Sequence, residues 1–302
     1  MPLNWKTALE KSGAPLTKGE PMSRRTTFRI GGPAELFVAP DTVEQLERLL
    51  AVCRKENIPY FILGKGSNLL VGDRGIPGLT VAMENLSQIT VERERITAQA
   101  GAALSAVCIA GRQAGLTGLE FAYGIPGQVG GGVYMNAGAY GGELKDVLTA
   151  VDFLDEEGNR HTLPVEELEM GYRHSRFSGR GCVILSAEFQ LKADPDGPQA
   201  VGERMEDILR RRKEKQPLEW PSAGSTFKRP EGAYAAALID QCGLKGLQIG
   251  GAKVSVKHAG FVINAGGASC ADVLALIEKI QGIVKEKTGF SLEPEVRVTG
   301  EN

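Results

Sequence analysis

The sequence predicts a globular protein of mixed helices and strands in about two domains, without a Rossmann or P-loop sheet. Three observations point that way. Hairpin patterns at 87–99 and 151–163 share the chain with capped amphipathic helices, such as the one opening at Ser269-Cys-Ala-Asp272. The strand Tyr60-Phe-Ile-Leu63 runs into Gly64-Lys-Gly-Ser-Asn-Leu69, which lacks the third glycine of a dinucleotide fingerprint and a Gly-Lys-Ser/Thr ending. That disfavours a Rossmann or P-loop sheet. Ala193-Asp-Pro-Asp-Gly-Pro198, polar and rich in turn formers, is the best domain boundary in 302 residues, a length for which about two domains is the soft prior.

Hydrophobic residues at 42% and charged ones at 24% describe a globular chain, not a disordered one. A formal net charge of -2 gives no general attraction for nucleic acid or an anionic membrane, so any anionic ligand must meet local cations. Glycine, at 39 residues, is about twice its usual share and follows no repeat, which suggests backbone approaching a bulky ligand. Cys53, Cys108, Cys182, Cys242 and Cys270 are odd in number and never paired as C-x-x-C. They predict reduced, mostly buried thiols, with neither a disulfide framework nor zinc. His161, His174 and His258 are scattered, and no metal is expected. The start, residues 1–11, lacks the apolar core of a signal peptide, and no run reaches about 18 apolar residues. The expectation is a cytoplasmic protein without membrane insertion; no protein partner is readable.

The elements follow in order. After a short amphipathic helix and a turn at 28–33, Ala34–Ala39 reads as a strand. Asp41-Thr-Val-Glu44 has the form of a capping box for a helix at 42–56, with Val43, Leu46, Leu49, Leu50 and Cys53 at helical spacing. Tyr60–Leu63 is expected as a buried strand, and Leu79–Ala82 as another. The turn at Gly64–Leu69 is either a tight structural turn or a backbone cradle for a pyrophosphate. The 87–99 hairpin precedes a small-residue helix at about 102–115. Residues 123–142 hold eight glycines at non-periodic positions, with Ile125, Val129, Val133, Tyr134 and Met135 interleaved. Ten of its twenty residues, the eight glycines with Pro126 and Asn136, are hard to place in an ordinary packed element: the run is either a flexible loop or backbone wrapped around something large and flat, and its apolar content favours the second.

The 151–163 hairpin turns at Glu-Gly-Asn, Pro164 opens a short helical turn, and Cys182–Leu191 is a strand. A helix at 199–216 ends in Arg210-Arg-Arg-Lys-Glu-Lys215, read mostly as solvated surface that suits the helix dipole. Beyond Pro217 come the serine loop, a helix at 233–243, Leu247–Ala252, a buried strand at Ala259–Asn264, and the helix after Ser269. Phe290–Val298 reads as an edge or irregular strand because it contains Pro294. Ser225, in Ala223-Gly-Ser-Thr-Phe-Lys228, is either a turn residue bonded to local backbone or a proton donor facing a closed pocket.

Five ordered motifs resemble one family. Gly64–Leu70, Gly124-Ile-Pro-Gly-Gln-Val-Gly-Gly131 with Met135–Gly141, Gly171-Tyr-Arg-His-Ser-Arg-Phe177, Ala223–Lys228 and Leu292-Glu-Pro-Glu-Val-Arg297 are similar in order and spacing to UDP-N-acetylenolpyruvoylglucosamine reductases. The resemblance implies an FAD-binding domain of the vanillyl-alcohol-oxidase (PCMH) type at 23–192, made of α+β subdomains at about 23–85 and 86–192. An N-terminal extension at 1–22 would precede it, and a smaller α+β substrate-binding domain at 199–302 would follow. It implies non-covalent FAD and NADPH as co-substrate, reducing UDP-N-acetylglucosamine enolpyruvate for peptidoglycan synthesis.

By the same resemblance, Gly64, Lys65, Gly66, Ser67, Asn68 and Leu69 lie near the FAD pyrophosphate. Gly124, Ile125, Pro126, Gly127, Val129, Gly130 and Gly131 shape the flavin pocket together with Asn136, Ala137, Gly138 and Ala139. Arg173 and Glu295 would stabilise negative charge developing on the substrate, and Ser225 would donate the proton. Tyr172, Lys215, Arg229 and His258 are the expected substrate anchors. Arg229 stands where an Asn often follows the Phe-Lys pair, and 193–198 is too short for an extra tyrosine-bearing loop, so the chain resembles the shorter, second type.

Overall fold

The computed structural model describes residues 3–10 and 13–302, which pack as two compact units, each assembled from separated segments. Met1, Pro2, Lys11 and Ser12, part of the expected N-terminal extension, lie outside the described residues. The first unit comprises Met1–Leu16, Val38–Lys65 and Val81–Arg212. It contains helices α1 (Leu3–Glu10), α2 (Val43–Lys55), α3 (Leu104–Gln113), α4 (Val129–Tyr134) and most of α5 (Gly197–Lys215).

Helix α2 buries Leu46, Leu49, Leu50 and Cys53, the expected face. Its cap lies one residue later than Asp41. Thr42 Oγ1 accepts the Gln45 N–H at 3.2 Å, and the Gln45 side chain accepts the Asp41 N–H at 2.8 Å. The same cap chemistry is thus built on Gln45, and Glu44 stays in the first turn, where its charge suits the dipole. Tyr60–Leu63 stands at a sheet edge and buries only Leu63, so it is less covered than the buried strand expected there.

The main sheet of this unit is antiparallel, in the order Arg160–Pro164, Leu148–Leu154, Val183–Gln190, Arg95–Gln99, Ile89–Glu92. Its register pairs Val151 with Ala187 and Ala187 with Ala98, three buried residues on one face. The glycine-rich run departs from the expectation that half of it is hard to place in a packed element, because Val129–Tyr134 is helix α4, with Val129 and Val133 buried. A Cβ on Gly130 would stand 3.0 Å from Ala100 Cβ, and one on Gly132 would stand 3.0 Å from Leu144 Cδ1. Glycine at these two positions serves close helix packing.

The second unit comprises Thr17–Phe37, Gly66–Thr80 and Lys213–Asn302. Its helices are α6 (Ala235–Gln241) and α7 (Cys270–Thr288). Gln248–Ile249, Ala252–Val254 and Val262–Asn264 form an antiparallel sheet, against which α7 packs. Leu69–Val71 pairs in parallel with Arg297–Thr299. The expected strand Phe290–Val298 is regular only from Arg297; before it, Pro294 forms an isolated bridge with Phe227, as its missing N–H cannot extend a ladder. One apolar core gathers Phe28, Ile30, Leu70, Phe227, Ile239, Val262, Leu276 and Ile280 from all three segments.

Helix α7 begins as expected. Ser269 Oγ accepts the Asp272 N–H at 3.0 Å, and Asp272 Oδ2 accepts the Ser269 N–H at 3.1 Å. The next two free donors, the N–H groups of Cys270 and Ala271, go to Asp73 at 2.7 and 3.0 Å. A carboxylate therefore closes the positive end of the helix. Gly289 ends it with φ 78, and Val273, Leu276, Ile277, Ile280 and Val284 form its buried face. Among the described residues, no helix is long and apolar enough to cross a membrane.

Candidate active site

In the second unit the serine loop is stitched into the fold through Thr226. Its N–H donates to Gly260 O at 2.8 Å, its carbonyl accepts the Glu295 N–H at 2.8 Å, and its buried Oγ1 accepts the Val262 N–H at 2.9 Å. Phe227 is 4 % exposed in the apolar core, while Lys228 and Glu293 are bonded through both backbone and side chains. Between Gly224, at φ 80, and this anchored Thr226, Ser225 is exposed to solvent. Ser225 is thereby held beside Glu295, whose residue is half-buried.

The segment carrying Glu295 is in turn tied to the first glycine loop. Asn68 Nδ2 donates to Glu295 O at 3.1 Å, and the Arg297 N–H donates to Asn68 O at 3.0 Å. Gly66, at φ 63, packs so that a Cβ would stand 2.4 Å from Arg25 O, so no other residue fits there without rearrangement. Ser67 and Leu69 are half-buried beside Asn68.

In the first unit, Gly171 to His174 make a tight reversal closed by two backbone bonds of 3.0 and 3.2 Å, with Tyr172 and Arg173 at its corners. Arg173 has φ 54, at a corner position normally filled by Gly or Asn. Holding a long side chain in such a conformation costs roughly 1–3 kcal/mol, and strain of this kind clusters where function over-determines the backbone. The Arg173 guanidinium lies 5.2 Å from the centre of the exposed Tyr172 ring. Asn136, 1 % exposed, anchors this reversal: its Nδ2 donates to Gly171 O at 3.0 Å and to Glu143 Oε2 at 2.7 Å, and its Oδ1 accepts the Lys145 N–H at 3.1 Å. Asn136 and Arg173 therefore belong to one hydrogen-bonded assembly, completed by Ser175 Oγ donating to Tyr134 O at 2.8 Å.

Gly64 and the 124–131 run also meet within the first unit. Gln128 is buried, and its Oε1 lies 3.3 Å from where a Gly64 Cβ would be and has no hydrogen-bond partner among the described residues. Gly124, Ile125, Gly127 and Gly130 are half-buried, Lys65, Pro126 and Gly131 exposed, and Val129 buried. Ala137, Gly138 and Ala139 are half-buried, and Gly138–Ala139 pairs with Gly142–Glu143.

The expected substrate anchors are more dispersed. Lys215 is exposed at the end of α5. The Arg229 guanidinium covers the Tyr234 ring at 3.9 Å. His258 is half-buried, with its ring edge-on to Phe261 and its Nδ1 accepting the Gly260 N–H at 3.2 Å. Burial first, and then Lys245, hold its pKa below the ordinary imidazole value. The five cysteines are free; burial pushes Cys53 and Cys270 up to about 11 and Cys108 up to about 12, so these three thiols stay protonated and unreactive.

Among the described residues, Thr80, Gln128, Arg211, Arg212 and Gln216 each bury a side-chain polar atom without a hydrogen-bond partner, and two of them, Gln128 and Arg212, lie against the glycine loops. Gln128 is the one amide side chain of the Gly124–Gly131 motif. Arg212 belongs to the basic run read as solvated surface, yet it is buried, with its side chain against Gly124. Helical spacing was the available signal: Val201, Met205, Ile208 and Arg212 fall on one buried stripe of α5.

Known proteins match along both units. A family model described as an FAD binding domain matches residues 34–164, and one described as the C-terminal domain of UDP-N-acetylenolpyruvoylglucosamine reductase matches residues 216–299. Reductases of that name from Clostridium novyi and Caldanaerobacter subterraneus are each 50% identical to the chain over 93% of its length, spanning 91% and 93% of their own. The crystal structure of the reductase from Thermus caldophilus superposes with a TM-score of 0.79 at 36% identity, covering 95% of this chain and 98% of that one. A berberine bridge enzyme variant, a reticuline dehydrogenase, shares the fold alone: TM-score 0.51 at 15% identity, over 64% of this chain and 44% of that one. With an FAD-binding domain followed by the reductase C-terminal domain, the chain belongs to the UDP-N-acetylenolpyruvoylglucosamine reductase family, flavoprotein oxidoreductases of peptidoglycan synthesis.

Proposed function

We propose that this chain uses NADPH to reduce UDP-N-acetylglucosamine enolpyruvate to UDP-N-acetylmuramate, with Ser225 as proton donor and Arg173 and Glu295 as charge-stabilising groups. The observation that carries this reading is the bond from the Glu295 N–H to Thr226 O at 2.8 Å, which makes Ser225 and Glu295 neighbours across 70 residues of sequence. FAD is proposed to lie along Gly64–Leu69 and Gly124–Ala139. The fit is supported by the orphaned acceptor of Gln128 beside Gly64 and by glycine backbone that leaves room for a large planar group. Bound there, FAD would supply the two-electron chemistry that links NADPH to the substrate.

The protein must manage the charge that follows. Hydride addition at the terminal enolpyruvyl carbon forms a C–H bond and pushes the π electron pair onto the adjacent carbon, where it delocalises into the carboxylate. A guanidinium at Arg173 and a donor at Glu295 stabilise that dianion best when pre-placed, because they then need no reorganisation during the step. A carboxylate can serve only if it is protonated and donates a hydrogen bond, which is the state proposed for Glu295. The Ser225 hydroxyl then gives its proton to the carbanion carbon. Its exposure lets water restore that proton. Lys215 and Arg229 are proposed to meet the substrate diphosphate, with Tyr172 and His258 lining its path. Both nucleotides are cytoplasmic metabolites, so the activity is proposed for the cytoplasm, with an FAD-binding portion at 23–192 and a substrate-binding portion at 199–302.

NADPH oxidation should depend on the enolpyruvyl sugar nucleotide; oxidation indifferent to it would remove the assignment. Ser225→Ala should leave flavin reduction by NADPH intact while slowing flavin reoxidation by substrate by about 10²-fold or more. Equal losses in both half-reactions would make Ser225 structural.

A further inference from the structure

Helix α5 places Val201, Met205, Ile208 and Arg212 on one buried stripe, and the fourth of these is a cation. Arg212 is 9 % exposed, and its Nε finds no hydrogen-bond partner among the described residues. Burial pulls its pKa below the ordinary arginine value, and only Tyr140 acts in the opposite direction; no carboxylate compensates it among the described residues. The carboxylate of Asp207, one turn back, is already engaged by Arg210 at 2.5 Å and Arg211 at 2.9 Å. A cation whose buried Nε is unpaired and which has no carboxylate beside it is costly to hold in the protein alone, so it points to a partner from outside the protein.

The direction of the side chain identifies that partner. A Cβ on Gly124 would stand 2.4 Å from Arg212 Cδ and 3.1 Å from its Nε, so the absence of a side chain at Gly124 makes room for the guanidinium stem. Four residues along the same loop, Gln128 presents a second orphan of opposite sense, an acceptor facing Gly64. A ligand that completes both must carry acceptors and N–H donors, as the ring systems and phosphates of FAD do. We infer that Arg212 is a cofactor-binding residue whose guanidinium donates to an oxygen of FAD seated on the 124–131 loop. The inference rests on the proposal that these glycine loops hold FAD.

The test uses full-length protein stripped of FAD and titrated with it, followed by flavin fluorescence. Arg212→Gln removes an unpaired buried charge, so the stripped variant should melt no lower than wild type, while its FAD dissociation constant rises at least tenfold. Arg212→Lys keeps a charge without the planar fork and should fall between the two. A lowered melting point with unchanged FAD affinity would make Arg212 structural. Unchanged FAD affinity with a raised KM for the sugar nucleotide would assign the cation to the substrate. Either result overturns the inference.

Gly131→Leu tests the loop assignment separately, because a Cβ on Gly131 meets nothing within 4 Å in the protein itself. It should weaken FAD binding without lowering the melting point of the stripped protein. Normal FAD affinity in Gly131→Leu with loss in Arg212→Gln would sink the loop assignment and keep the arginine contact. The reverse pattern would sink the contact and keep the loop.

Discussion

At the scale of single residues, Thr226 makes the position of Ser225 a consequence of the fold. Thr226→Val has nearly the same shape but leaves the Val262 N–H without its 2.9 Å acceptor in a buried place. The expected loss is about 1–3 kcal/mol in chemical denaturation, with the substrate half-reaction slowed more than reduction by NADPH. Arg173 offers the opposite contrast. Arg173→Gly relieves a left-handed arginine and should keep or raise the stability of the fold while turnover collapses; a fall of several kcal/mol would show that the side chain is structural. His258, with its folded pKa depressed, adds stability that is complete above the unfolded value of about 6.5 and is lost as the pH falls through the lower folded value. His258→Gln should flatten that stretch of the stability-pH curve. Ser225, Arg173 and Glu295 were named from short motifs, but nothing local in those motifs says that Thr226 binds Glu295 or that Asn136 anchors the reversal at Arg173. Those bonds join residues 69 and 35 apart and exist only in the folded chain.

At the scale of elements, local chemistry was legible and remote chemistry was not. The box at Ser269 and Asp272, the buried face of α7 and the two hairpins follow from spacing alone. Asp73, which satisfies two more donors of the same helix from 197 and 198 residues away, has no sequence signal. Asp73→Ala should destabilise the protein by about 1–3 kcal/mol, and Asp73→Asn, which keeps one carbonyl acceptor, by about half as much. Thermal melting of the two variants measures this, and equal melting points would argue against the cap. Glycine misled the reading at α4 because it is usually a breaker. At Gly130 and Gly132 the neighbours Ala100 and Leu144 approach so closely that packing outweighs propensity. Arg212 misled it because basic residues near a helix end are usually solvated, and only the stripe from Val201 shows otherwise.

At the scale of the whole molecule, family and cofactor class were legible from ordered motifs, whereas the weave of the chain was not. The second unit draws its core from three segments, with Phe28, Ile30 and Leu70 supplied by the first two. A fragment of residues 213–302 therefore lacks part of its own interior. Expressed alone, it should give a poorly dispersed amide spectrum and no cooperative melting transition; a well-folded fragment would show those three residues to be dispensable.

The same weave sets a timetable during synthesis. Phe28 and Ile30 leave the ribosome well before residue 213 is made, and at about 5–20 residues per second the wait is on the order of 10–35 seconds. Through that interval Phe28 and Ile30 have no native neighbours from the final segment. The nascent chain is then a client for holding chaperones, and slow translation between residues 38 and 212 prolongs its exposure.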